Sequence, residues 1–198
     1  MGLFSSLTQP SVAAPLAPVP HPIGVLPAFC QHQQQMALKI REHKVSLTGD
    51  DFSIKDAMTN QTIFKVDGKA LSLSGRKDVL DASGTKLFQV RKKHIAIHTT
   101  YQGIGANDEV LFTVSSRMSL GTKLEIKVLV LKGDFFDRNA TITTKEGVPV
   151  ASIGRSFANA GQVLFDKQTY ILNVAPGVDA ALMVAVAICL DEKANETN

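Results

Sequence analysis

A chain of 198 residues can bury one full hydrophobic core and is short for two. Its apolar fraction of 44% and charged fraction of 20% are globular values and exclude a wholly disordered chain. With 21 Lys and Arg against 18 Asp and Glu, the net charge of +3 falls short of the basic stripe of a dedicated nucleic-acid binder, so no nucleic-acid partner is expected.

Six of the eight prolines (Pro10, Pro15, Pro18, Pro20, Pro22 and Pro27) precede residue 28, and residues 1–27 read as a flexible, extended Pro-rich tail. Its opening, Met1-Gly2-Leu3-Phe4-Ser5-Ser6, fits the acceptor pattern for N-myristoylation at Gly2. It has neither the basic nor the apolar region of a secretory signal. The expected setting is therefore cytoplasmic, peripheral at the cytosolic face of a membrane if Gly2 is acylated, with Cys30 and Cys189 reduced.

The first strand is expected over Ala37 to Glu42, where Leu38 and Ile40 alternate with Lys39 and Arg41. The chain then repeats. Ile63-Phe64-Lys65-Val66, Leu87-Phe88-Gln89-Val90 and Leu111-Phe112-Thr113-Val114 follow one another at 24-residue intervals. Each follows a turn-forming stretch: Asp56 to Asn60, Asp81 to Gly84, and Gly105 to Asp108. A looser copy spans Lys145 to Ala151. Repeated hairpins account for this period. Further strands are expected at Ile95 to Thr99, Leu124 to Val130, Val163 to Phe165 and Thr169 to Val174. About ten or more short strands suit a barrel or a sandwich.

After Pro176 and Gly177, Asp179 stands where a carboxylate suits a helix N-terminus. Ala180 to Leu190 then contains no polar residue. Such a helix reaches about 16 Å, against a bilayer core of roughly 30 Å. Its alanines favour helix over strand, and an apolar surface all round requires burial on every side, as inside a barrel.

The chain resembles the LURP-one-related family of the tubby C-terminal-like group. The resemblance rests on Phe29-Cys30, on Phe64-Lys65-Val66-Asp67-Gly68, on the segment Leu73 to Gly84, and on the apolar C-terminal helix. It implies a mainly β fold: a closed tubby-like barrel of about twelve strands around a central hydrophobic helix. The domain is then expected over 28–192, with a polar C-terminal tail at 193–198.

Catalytic constellations are not found. There is no Gly-x-Ser-x-Gly elbow, and Gly121-Thr122-Lys123 lacks the rest of a phosphate loop. His94 and His98 would lie about 13 Å apart along a strand face, too far to share a metal. No cofactor and no metal are therefore expected, and an enzyme is not. Basic residues carry the binding expectation: Lys39, Arg41, Arg76, Lys77, Arg91, Lys92 and Lys93, with Lys44, could meet lipid headgroups if the fold gathers them. The leading expectation is a non-catalytic binding or scaffold module, monomeric by default, with an unidentified protein partner. The alternatives are a phosphoinositide or acidic-phospholipid binder, and scramblase-like lipid transfer through an inserting C-terminal helix.

Overall fold

The 24-residue repeat is a run of β-hairpins. The computed structural model describes residues 15–43, 51–68, 76–93, 99–117, 122–126, 129–134, 139–154 and 169–195. Among them are twelve strands. The first four are β1 (Met36–His43), β2 (Asp51–Asp56), β3 (Thr62–Gly68) and β4 (Lys77–Asp81). Next come β5 (Lys86–Lys93), β6 (Thr100–Ile104), β7 (Val110–Arg117) and β8 (Thr122–Ile126). The last four are β9 (Leu129–Asp134), β10 (Asn139–Thr144), β11 (Pro149–Gly154) and β12 (Thr169–Val174). A helix, α1 (Ala180–Asn195), follows.

Each strand pairs antiparallel with its neighbours in sequence, and β1 also pairs with β12 through Met36↔Val174 to Arg41↔Thr169. The wall therefore closes into a barrel. The repeat sets its details. Phe64, Phe88 and Phe112 point inward and are almost fully buried, and Phe88 and Phe112 meet edge-on at 5.3 Å. The turns before them each hold one residue in the left-handed region: Asn60, Gly84, Asp108 and, in the looser copy, Gly147. A bulge recurs in the same place in each hairpin, at Ile54/Lys55, Val79/Leu80, Gly103/Ile104 and Ile142/Thr143.

Helix α1 runs inside the wall. Every residue from Ala180 to Leu190 is 2% exposed or less and belongs to one core with the inward side chains of the strands. A helix apolar on all sides needs such a surround, because no orientation would leave a polar face for water. No described helix is long and apolar enough to cross a membrane.

Three expectations need correction. The alternation from Leu124 to Val130 is not one strand but β8 and β9, which pair back at Ile126↔Leu129. The link carries none of the Gly, Asn or Asp that mark the other turns, so periodicity alone ran through it. The flexible tail does not extend to residue 27. Val19 N donates to Pro176 O, Ile23 N to Gly177 O, and Leu16, Val19, Ile23 and Leu26 pack against the core. The segment is apolar between its prolines, and it covers the barrel mouth where α1 begins. At the other end, α1 continues to Asn195, past the expected boundary at 192. The strands expected at Ile95 to Thr99 and Val163 to Phe165 fall outside the described residues, apart from Thr99, as do Gly2, Lys44, His94 and His98.

Candidate functional site

Strand parity decides where each basic residue faces. Cross-strand partners share a face of the sheet, and successive residues alternate. On β1, Leu38 and Ile40 are in the core, so Lys39 and Arg41 lie on the outer wall. On β4, Lys77 shares the inner face with Val79 and is 5% exposed. On β5, Lys92 pairs with the buried Tyr101 and faces inward, whereas Arg91 pairs with Gln102 and faces out with Lys93. Arg76 is exposed just ahead of β4.

The seven expected residues therefore do not form one patch. Lys39 and Arg41 are four strand spacings from Arg91 and Lys93, about 19 Å around the wall. Arg91 is held at 2.9 Å by Asp108, which lies in the turn between β6 and β7. Lys77 pairs inside the barrel with Glu192 of α1 at 3.1 Å, and its ammonium stands 5.3 Å from the centre of the Phe52 ring. Glu42 and Asp191 are also almost fully buried. The mouth at the C-terminal end of α1 is thus lined by charges of both signs belonging to the core. Cys189, one turn before Glu192, is fully buried, and burial pushes its thiol far up, with Glu192 adding to the shift.

The outer wall instead gathers a different set. Lys39 lies directly opposite Lys55 of β2, and Arg41 opposite Ser53, which in turn faces Lys65 of β3. Lys39 also donates to Asn60 Oδ1 at 2.7 Å. Neither Lys55 nor Lys65 is among the binding cations expected from the sequence. The signal was there: both sit at polar positions of alternating runs, Phe52-Ser53-Ile54-Lys55 and Phe64-Lys65-Val66, in phase with Lys39 and Arg41 only once the strand register is known. The cations end on an acidic border. Asp67 and Asp78 face each other across β3 and β4, and Asp78 accepts from Gln89 Nε2 at 2.6 Å and pairs with Lys86 at 2.8 Å.

At the opposite mouth, Asp179 caps α1. Its Oδ1 accepts the Leu182 N–H at 3.0 Å. Its Oδ2 accepts the N–H groups of Val25 and Leu26, at 3.0 and 2.7 Å. Burial pushes its pKa up, against the pull of these donors. Cys30, in the 3-10 turn Pro27–Cys30, is buried beside it, and its thiol is also raised by burial and then by Asp179. Raised thiols favour the protonated, unreactive form. Among the described residues, no group of three or more His, Cys, Asp or Glu could hold a metal ion.

Known proteins resemble this chain in sequence, and one solved structure resembles it in fold. Protein LURP-one-related 15 of Arabidopsis thaliana is 27% identical over 194 residues, covering 89% of this chain and 88% of its own length. Protein LURP-one-related 1 of the same plant is 27% identical over 204 residues, covering 92% and 89%. An X-ray structure of an Arabidopsis thaliana protein superposes with a TM-score of 0.59 at 21% identity, over 86% of this chain and 97% of that one, a likeness of fold alone. The model of the LURP-one-related family matches residues 36–191, from the start of β1 through the buried length of α1. The chain belongs to the LURP-one-related family.

Proposed function

We propose that the chain is a non-catalytic binding or scaffold module of LURP-one-related type that recognises a protein partner through its outer wall. The observation that carries this reading is the occupied interior: α1 fills the barrel from Ala180 to Leu190 at 2% exposure or less. The charged and thiol groups nearest the helix ends are engaged in its packing, capping and ion pairing. Recognition is left to side chains that face out. Proximity labelling in cells, with wild type and a Lys39→Glu/Lys55→Glu/Lys65→Glu variant of equal stability, tests it. Neighbours lost from the variant support the reading; an identical set from both removes this wall from it.

The row of cations contributed by three adjacent strands favours one second reading, a module binding acidic phospholipid at the cytosolic membrane face. Flotation with phosphatidylserine-containing and pure phosphatidylcholine vesicles distinguishes it. Binding confined to the acidic vesicles, falling with salt and with the triple substitution, supports lipid; no binding returns the outer wall to a protein partner. Scramblase-like transfer would require α1 to leave the barrel and enter a bilayer.

A further inference from the structure

The mouth at the N-terminal end of α1 is closed by residues 16–35, which lie outside the strand wall. This segment is tied down at a short stretch of the barrel. Val19 N donates to Pro176 O and Ile23 N to Gly177 O, both at 3.1 Å, and Asp179 N donates to Ile23 O at 2.8 Å. A His32 ring nitrogen lies 2.8 Å from Val178 O. The one carboxylate at the junction, Asp179, serves both sides, with one oxygen on the helix and the other on Val25 and Leu26. Gly24 lies against it so closely that a β-carbon there would overlap the Asp179 side chain. Beneath this contact the Cys30 thiol donates to Ile23 O and Leu26 O at 3.8 and 3.7 Å.

The burial profile differs from that of the wall. Val19, Ile23, Val25, Leu26 and Phe29 are only half-buried, whereas the inward residues of β1 and β12 are almost inaccessible. Segments with few fully buried side chains open at a lower free energy than the core they cover. The connection to β1, Gln31 to Gln35, contains no large apolar residue.

We infer that residues 16–35 form a strap that opens as one unit while the barrel stays closed around α1, and that Asp179 is its catch. Opening uncovers the Cys30 thiol, 8% exposed when the strap is shut, and gives solvent and partners access to the loop 175–179 at the head of the helix. The strap controls access to this mouth independently of what the outer wall binds.

The test uses the full chain and two variants. Asp179→Ser keeps a good helix cap but is too short to hold the strap, and Gly24→Ala leaves Asp179 in place while pushing the strap off it. Iodoacetamide labelling, read by peptide mass, should become at least about tenfold faster at Cys30 in both variants, since each loses charge-assisted hydrogen bonds to the strap. Cys189 should keep its wild-type rate, and the far-ultraviolet circular dichroism should not change. In the wild type, the amides of Ile23, Val25 and Leu26 should exchange with deuterium before those of β12 and α1. Should Asp179→Ser fail to fold, Gly24→Ala and the wild-type exchange decide the matter. Labelling of both cysteines in parallel, strap amides exchanging together with β12, or an unchanged Cys30 rate in a folded variant would overturn the inference.

Discussion

The ring of Phe112 lies over the backbone of Gly103, its partner across β6 and β7, in the space a side chain at 103 would fill. A β-carbon there would overlap the ring, so this inward position on β6, two residues after the inward Tyr101, has to be glycine for the third phenylalanine of the repeat to seat. Gly103→Ala should destabilise the protein by about 1–3 kcal/mol, the usual range for overpacking a filled core. Pairing it with Phe112→Leu should recover part of that loss. Urea unfolding of the two single variants and the double variant reads the coupling, and strict additivity would count against the contact.

Charge placed in the helix should be far more damaging. Val184 and Ile188 are fully buried on α1 among apolar neighbours, and an aspartate at either site would have no partner. Val184→Asp and Ile188→Asp should each cost about 4 kcal/mol or more and yield aggregated or unfolded protein. Soluble variants with wild-type circular dichroism and cooperative melting would place the helix elsewhere.

Much of this architecture was legible in the sequence, because the signals were local. The 24-residue period carried the hairpins, their left-handed turn residues and the recurring phenylalanines, and the unbroken apolar run carried α1. What was missed depends on register or on distant contacts. Lys77 and Lys92 look like surface cations beside Arg76 and Arg91, yet strand parity turns them inward, and the partner of Lys77 is Glu192 on the last element of the chain. The prolines near the N-terminus suggested a free tail, since nothing in that stretch records that it runs beside residues 176–179. Lys127-Val128 carries no turn signal, so β8 and β9 read as one strand.

The Lys39 and Lys55 pair gives a prediction of opposite sign. Like charges directly across a strand pair destabilise, by a few tenths to about 1 kcal/mol. Lys55→Glu should therefore raise the unfolding midpoint slightly at low salt, with the gain fading as salt rises. The same change should weaken whatever anion or protein the outer wall holds. A variant that is less stable than wild type at low salt would show that the two side chains do not meet.

Asp179 gives a pH dependence whose sign is unusual for a helix cap. Burial raises its folded pKa above the ordinary 3.8, so the folded protein holds this proton more tightly than the unfolded chain does. Its stabilising contribution is complete below about pH 4 and declines as pH rises through the raised folded value. The stability difference between wild type and Asp179→Ser, followed by urea unfolding from acid to neutral pH, should shrink across that window. A difference that grows with pH would mean that the three N–H donors outweigh burial.

The seam between β1 and β12 bears on how the protein is made. Every other strand pair joins neighbours in sequence and can form as the chain leaves the ribosome, whereas β1 waits for the last strand. Until then the nascent sheet has two open edges and an apolar inner face with no helix against it, the form most prone to pair with another chain. Synthesis stalled before residue 169 would leave that form without the parts that complete it. Residues 169–195 thus supply both the closing strand and the helix at the centre of the core, and a nascent chain is most in need of a chaperone just before they emerge.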